Sequence, residues 1–301
     1  MIALRLLEGG MDERSLSVLL SWRSRLVQSC RLCSAFGLLC LFFFLIMPSV
    51  FLADAADAAW GTTTVDNTGD TGQYTSIAVG TSGAAYISYY DSTNFYLMYA
   101  TNVSGSWGTT TVDDTSDMGQ YTSIAVGTSG AAYISYYDST NTYLMYATNV
   151  SGSWGTTTVD STGNTGEYTS IAVGTSGAAY ISYYDSTNTY LMYATNVSGS
   201  WGTTTVDSTG NTGQYTSIEV GTSGAAYISY YDGGNGNLMY ATNVSGSWGT
   251  TTVDSTGNTG QYTSIEVGTS GAAYISYYDG GNGNLMYATN VSGSWGTTTV
   301  D

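Results

Sequence analysis

The chain has 301 residues, of which 14% are aromatic and only 9% are charged. All five basic residues are arginines within the first 31 positions, whereas 17 of the 22 acidic residues lie in 60–301. A region with this charge repels nucleic acid and anionic membranes, and it attracts cations and basic partners. Cys30, Cys33 and Cys40 all precede this region, which therefore contains neither a disulfide nor a thiolate metal site.

The first 59 residues have the pattern of an export segment. Arginines are followed by an uncharged, apolar run at 32–53 and then by small residues that would allow cleavage after Ala55 or Ala58. An uncleaved anchor is the alternative, because an uncharged run of about 20 residues can span a bilayer. We therefore expect 1–59 to be a signal peptide or signal anchor with a small-residue linker. Both interpretations place 60–301 outside the cytoplasm, secreted or at the cell surface.

A 47-residue unit that begins with tryptophan repeats along the rest of the chain. The complete copies are 60–106, 107–153, 154–200, 201–247 and 248–294, and a partial copy follows at 295–301. Because no copy differs in the manner of a capping repeat, the pattern favours a closed ring over an open stack.

Each copy contains four short runs rich in Tyr, Val, Ile and Thr, separated by Gly, Asn, Asp and Ser. In the first copy these predicted strands are 60–66, 74–80, 84–91 and 96–102. Four antiparallel strands in this length are typical of one propeller blade. The sequence therefore predicts an all-β fold, a five-bladed β-propeller of four-stranded antiparallel blades over 60–301.

Two details of the repeats lead to further expectations. Ala78 becomes Glu219 and Glu266 in later copies while its neighbours stay Ile and Val, so we expect this strand face to be solvated. The run WGTTTVD occurs six times for five outer strands. We expect 60–66 to join the last blade and latch the ring, which leaves 295–301 spare. The alternative is that 295–301 completes the last blade and 60–66 is the spare strand.

The stretch 100–107, ATNVSGSW, resembles the Asp-box hairpin of sialidase-type propeller repeats in secreted bacterial proteins. The layout of five copies also resembles that of tachylectin-type lectins. In the Asp-box family the hairpin joins the third and fourth strands of a blade. The resemblance therefore implies that 74–80 is innermost and 107–113 outermost, with the Trp packed between blades. Sialidase activity is not implied, because that family holds its substrate carboxylate with arginines and the repeats have none.

Alternate loops of such a meander share one face of the ring. The loop between the outermost and next innermost strand (the DA loop, 66–73) and the loop between the second and third strands (the BC loop, 91–94) meet there. Fifteen of the 17 acids lie in or beside these two loops, so we predict one acidic face and one neutral face.

Aromatic and planar polar side chains at the BC loops could hold sugars, with ordinary strand packing as the alternative. The candidate ligand-binding residues are Tyr90, Asp91, Asn94, Tyr137, Asp138, Asn141, Tyr184, Asp185, Asn188, Tyr231, Asp232, Asn235, Tyr278, Asp279 and Asn282.

Carboxylates on flexible DA loops also suit Ca²⁺, although tight turns use the same residue types. The candidate metal ligands are Asp66, Asp70, Asp113, Asp117, Asp160, Asp207 and Asp254. No other cofactor is indicated.

An enzyme is disfavoured, because 60–301 has no His, Cys or Lys to act as a base or activated nucleophile. We expect a multivalent binding or adhesion module for carbohydrate, with a glycan or a basic protein as partner. Nucleic acid is not an expected partner, and membrane contact is expected only through an uncleaved 1–59. The alternatives are a structural surface repeat protein without a specific small ligand and, third, a glycoside-active enzyme that uses a carboxylate pair.

Overall fold

The computed structural model describes residues 61–301 as five four-stranded antiparallel sheets. In every sheet the strands lie in chain order, which confirms the predicted five-bladed β-propeller. The predicted signal or anchor segment, 1–59, lies outside the described residues. Within 61–301 no helix is long and apolar enough to cross a membrane.

The blades follow the sequence repeats, and their bounds are as follows. Blade 1 has β1 (Thr71–Val79), β2 (Ala85–Asp91), β3 (Tyr96–Thr101) and β4 (Gly108–Asp113). Blade 2 has β5 (Met118–Val126), β6 (Ala132–Asp138), β7 (Tyr143–Thr148) and β8 (Gly155–Asp160). Blade 3 has β9 (Thr165–Val173), β10 (Ala179–Asp185), β11 (Tyr190–Thr195) and β12 (Gly202–Asp207). Blade 4 has β13 (Thr212–Val220), β14 (Ala226–Asp232), β15 (Asn237–Thr242) and β16 (Gly249–Asp254). Blade 5 has β17 (Thr259–Val267), β18 (Ala273–Asp279), β19 (Asn284–Thr289) and β20 (Gly296–Thr299).

The order of strands from the axis outwards agrees with the prediction. Residues of β1, β5, β9, β13 and β17 line one shared cavity at the centre, so these strands are innermost. The threonines of β4 and its equivalents are exposed, as expected for outer strands. The turn at 102–106 joins the third strand to the fourth, with Gly105 N donating to Asn102 O at 2.9 Å.

The predicted latch is wrong. Residues 296–299 pair with β19 and complete blade 5, whereas 61–66 forms no strand. The physical reason is local: the short turn at 290–294 brings β20 onto β19 with a small loss of chain entropy, whereas pairing with 60–66 would close the whole ring. Val65 and Asp66 instead pack on blade 1, with Val65 against Tyr89.

Neighbouring blades are joined by a repeated set of contacts, seen here between blades 2 and 3. Leu144 is fully buried against Ile171 in a shared core cluster. Its backbone passes so close to Gly166 that a Cβ there would lie 2.8 Å from the Leu144 Cα. Tyr146 and Trp201 meet edge to face at 5.0 Å, and Trp154, Trp248 and Trp295 make the same contact with the preceding blade, which confirms that these four tryptophans pack between blades.

The boundary between blade 5 and blade 1 lacks this packing. Ile77 is 64% exposed, whereas Ile171 is 6% exposed. Leu285 is 50% exposed, whereas Leu144 is fully buried. Gly72 has no atom within 4 Å of its Cβ position, although its equivalents meet a leucine backbone. The residues at this boundary are therefore the ones that pack together at the other boundaries between four-stranded sheets, but here they do not contact a partner.

The expectation that the Ala78 position faces solvent is also wrong. Ala78 and Ala172 pack against core clusters that include the following blade. Glu219 occupies the same position on blade 4 and is partly buried. Burial raises the pKa of Glu219, and the charge of Glu266 raises it further. Both faces of an innermost strand therefore meet a neighbouring blade, which strand alternation alone could not reveal.

Candidate functional site

The DA and BC loops meet at one edge of every blade. Asp91 at the end of β2 pairs with Thr71 at the start of β1 and with Tyr96 at the start of β3. Leu97 at the same edge pairs with Asp113 at the end of β4. The predicted acidic face is thus set by the strand register, because the ends that carry Asp all point the same way.

The first of the candidate carboxylates, Asp91, is buried and stabilises its own loop. Its Oδ1 accepts hydrogen bonds from the backbone N–H groups of Thr93, at 2.9 Å, and Asn94. Its Oδ2 accepts from the Asn94 side-chain amide at 2.7 Å. The equivalent buried carboxylates with the same pattern are Asp138, Asp185, Asp232 and Asp279.

The candidate tyrosines join adjacent blades. The Tyr90 hydroxyl donates to Asp117 Oδ1 of blade 2 at 2.7 Å, and the Tyr137 hydroxyl donates to Asn164 Oδ1 of blade 3 at 2.6 Å. The next two tyrosines make the same bond, Tyr184 to Asn211 and Tyr231 to Asn258. Tyr278 of blade 5, which would reach blade 1, is more exposed than the others. The Tyr and Asp candidates therefore fix the loops in place.

The candidate asparagines are exposed at the surface of these fixed loops. They are Asn94, Asn141, Asn188, Asn235 and Asn282. Each lies beside an exposed residue at the preceding position, such as Thr93. Of the three predicted types, the asparagine is the one that is exposed in all five blades, while its side-chain amide donates a hydrogen bond to the buried aspartate of the same loop.

Five of the candidate metal ligands take part in a second repeated bond. The Tyr183 hydroxyl donates to Asp160 Oδ2 at 2.6 Å, and Asp160 Oδ1 accepts from Thr162 N and Oγ1. The aspartates in this position are Asp66, Asp113, Asp160, Asp207 and Asp254. Burial alone would raise the pKa of Asp66, but its hydrogen bonds from Tyr89 and Thr68 lower it overall.

The remaining two candidates, Asp70 and Asp117, lie on the DA loops. Asp70 accepts from Ser92 Oγ at 2.8 Å, and Asp117 accepts from Tyr90. Among residues 61–301 no three acidic, His or Cys side chains converge as a metal-ion cluster. Ca²⁺ binding stays a prediction.

Sequence reasoning missed a group of tyrosines at the axis, one from each innermost strand. They are Tyr74, Tyr121, Tyr168, Tyr215 and Tyr262. All five have positive φ values of 51–53°, a backbone conformation that is rare for a bulky residue. The only sequence signal was a Tyr two residues after a DA-loop glycine in every copy.

Five antiparallel blades around an axis place the chain in the structural class of β-propellers. Solved propeller structures are similar to it in fold at low sequence identity. A protein of unknown function from Dyadobacter fermentans aligns with a TM-score of 0.56 and 10% identity, covering 79% of this chain and 85% of that one.

Two other similar structures are carbohydrate proteins by name. A mutant of the Aleuria aurantia lectin, in complex with Fucα1-6GlcNAc, gives a TM-score of 0.52 at 14% identity, with 77% of this chain and 79% of the lectin covered. The Hadza microbial sialidase Hz136 gives 0.50 at 11% identity, with coverage of 77% and 59%. The sequence matches no protein-family model, and no curated protein matches it.

Proposed function

We propose that residues 60–301 form a multivalent binding module for carbohydrate in a secreted or cell-surface protein. The observation that carries this proposal is the repetition of the same loop pair on one face of all five blades. Each pair holds an exposed asparagine in a fixed position, because the buried aspartate behind it binds the loop backbone. A fixed polar group loses little conformational entropy when it binds a hydroxyl-rich molecule.

Two further features support a carbohydrate. The exposed BC-loop groups are an amide in every blade and, in blades 1 to 3, a threonine hydroxyl as well; glycines replace the hydroxyl residues in blades 4 and 5. Amides and hydroxyls are neutral, and they both donate and accept hydrogen bonds as sugar hydroxyls do. A lectin of similar fold binds a fucosylated disaccharide. The resemblance of 100–107 to an Asp-box hairpin and the apolar run with its Ala-x-Ala site support export of such a module.

A glycan array followed by calorimetric titration of the full chain tests the proposal. We expect a multivalent glycan to bind about 10²–10⁴-fold more tightly than its monomer, because several sites engage one molecule. Asn188→Ala should lower the number of monomer sites by one, whereas Ser198→Ala on the opposite face should not. A stoichiometry of one with no avidity would contradict the repeated-site proposal.

The second candidate is a structural surface repeat protein with no specific small ligand. The observation that favours it is that Asp91 and its equivalents in all blades, and Tyr90 and its equivalents in blades 2 to 4, are buried and already hydrogen bonded within the protein. Absence of binding across the glycan array, with a stable monomer in solution, would favour this alternative.

A glycoside-active enzyme is the third candidate. The repeats offer only carboxylates for it, and the five sites are too alike to form one differentiated catalytic centre. Hydrolysis of any glycan on the array would reverse this order. The net charge of the repeats suits a basic protein as an additional partner.

A further inference from the structure

The five axial tyrosines, which we call the tyrosine collar, come from equivalent positions of the innermost strands. Together with the threonine that follows each of them, they line one cavity of about 270 Å³. The members are Tyr74, Tyr121, Tyr168, Tyr215 and Tyr262. None of them belongs to the loops proposed above for carbohydrate, so the collar is a separate feature of the molecule.

An irregularity in strand pairing places these side chains. In blade 2 the register between β5 and β6 shifts between Gln120 and Ser123, which is where Tyr121 lies. A bulge of this kind redirects a side chain from its regular direction. Glycine or asparagine would adopt the positive φ at lower cost, yet all five copies have tyrosine there. Backbone strain of this kind is concentrated at ligand-binding and active sites.

The collar rings contact one another along an arc. Successive ring centroids are 4.9, 4.9, 4.7 and 4.5 Å apart, with the planes inclined at 48–54°. Tyr121 also lies 6.1 Å from Tyr137, whose hydroxyl is fixed to the next blade. The end members remain open, with Tyr262 66% exposed. Because all five tyrosines line the cavity, a small molecule in it would contact several aromatic side chains at once, and cation–π attraction acts within about 6 Å of a ring centroid.

The charge around the collar has one sign. Residues 61–301 contain no basic side chain, and Glu167 lies next to Tyr168 in the chain. Burial, and then the charges of its neighbours including Glu167, raise the pKa of Tyr121 to about 12. The Tyr121 phenol is therefore neutral at physiological pH, and the field of the surrounding carboxylates favours positive ligands over negative ones.

We propose that the tyrosine collar binds a small organic cation that carries a quaternary ammonium group. Such a cation gains attraction from several aromatic rings and from the acidic face, and it loses little hydration because its charge is covered by methyl groups. An anion is repelled by the carboxylates. A neutral molecule of the same shape gains neither the cation–π attraction nor the attraction to the acidic face. This proposal is independent of the carbohydrate proposal, since it uses different residues.

Titration of the full chain with choline tests the proposal, with 3,3-dimethylbutan-1-ol as a neutral control of nearly the same shape. We expect one choline site per chain and at least about tenfold tighter binding of choline than of the alcohol. Equal affinity for the two, or no saturable binding of choline, would overturn the proposal.

Substitutions locate the site. Tyr168→Leu should weaken choline binding several-fold, and Tyr168→Phe should retain most of it because the aromatic face remains. Tyr190→Leu, a matched change in the same blade outside the collar, should leave binding unchanged. If Tyr168→Leu does not fold, Tyr262→Leu at the exposed end of the arc replaces it. Equal binding of choline by Tyr168→Leu, or by Tyr262→Leu in its place, and by Tyr190→Leu would contradict the assignment.

Discussion

Among single residues, the buried Tyr–Asp pairs illustrate how a polar contact supports this fold. Tyr183 is fully buried, and its hydroxyl binds the buried Asp160. Burial, followed by this hydrogen bond and the Asp160 charge, raises the pKa of Tyr183 well above its ordinary range. The pair contributes to stability mainly because the hydroxyl gives the buried carboxylate a hydrogen-bond donor. A buried carboxylate without a donor would destabilise the folded state.

Tyr183→Phe removes the hydroxyl and leaves Asp160 without that partner. We expect a loss of about 1–3 kcal/mol in the free energy of unfolding, measured by urea denaturation. Tyr89→Phe is the matched control, because its partner Asp66 is less buried and can be hydrated. Equal losses in the two variants would show that burial of the carboxylate does not determine the cost.

Glu219 gives a pH-dependent prediction at the same scale. Because burial raises its pKa above the ordinary glutamate value, the folded state binds more protons than the unfolded state between those two pKa values. The contribution of Glu219 to the free energy of unfolding is therefore greatest below its pKa in the unfolded state. It declines as pH rises through its pKa in the folded state. We expect Glu219→Ala to raise the melting temperature at pH 7 more than at pH 4.

Glu266→Ala is the control for this prediction, since Glu266 lies at the same strand position and is exposed. Its effect on the melting temperature should be smaller than that of Glu219→Ala at pH 7. A larger effect of Glu266→Ala would mean that the free face of blade 5 is covered in solution.

Within the strands and blades, much could be predicted from the sequence and some could not. The four strands of each blade follow from the period of the repeats, and their order from the axis outwards was implied by the resemblance of 100–107 to an Asp-box hairpin. The acidic edge follows from that order, because alternate loops of a meander share one face, and the structure agrees with both. The partner of Tyr90 could not be predicted, because its hydrogen bond to Asp117 depends on how blade 2 packs against blade 1. The collar was missed because a bulge in pairing, rather than residue type, turns Tyr121 towards the axis.

The contact between a leucine and a glycine of the next blade is the sharpest test of blade packing. Gly166 has φ of 105° and lies against the Leu144 backbone. Gly72 lies at the equivalent position of the first repeat with φ of 92°, but its Cβ position is open. Gly72→Ala should therefore lower the free energy of unfolding by only about 1–2 kcal/mol, the cost of holding alanine at a positive φ. Gly166→Ala should cost about 1–3 kcal/mol more, since the blades must also separate.

Urea denaturation of the two glycine variants measures this difference. If Gly72→Ala destabilises the protein as strongly as Gly166→Ala, the space beside Gly72 is filled in solution. That result would contradict the open boundary between blade 5 and blade 1.

For the whole molecule, the open boundary raises the question of why a ring of equal blades is not uniformly packed. The chain offers two copies of the outer-strand sequence near this boundary. Residues 296–299 complete blade 5, while Val65 and Asp66 occupy on blade 1 the place that Val112 and Asp113 occupy on blade 2. In a fully packed ring the end of blade 5 and the segment 61–66 would need the same place. Val65 and Asp66 thus occupy on blade 1 the place that the end of blade 5 would need if Leu285 packed beside Gly72.

Paired leucine substitutions test this arrangement. Leu191 is fully buried between blades, so Leu191→Ala should lower the free energy of unfolding by about 2–5 kcal/mol. Leu285→Ala removes the same side chain from an equivalent position that is half exposed, so its cost should be well under that of Leu191→Ala. The two losses are compared in urea at several protein concentrations.

The concentration series separates the ways in which the arrangement could be wrong. A large and concentration-independent loss in Leu285→Ala would mean that blade 5 packs on blade 1 within one chain, displacing 61–66. A large loss that grows with protein concentration would mean that Leu285 is buried against a second chain, because association makes the stability of the folded state depend on concentration. A small loss at every concentration is the result that the exposed surfaces of blades 1 and 5 predict.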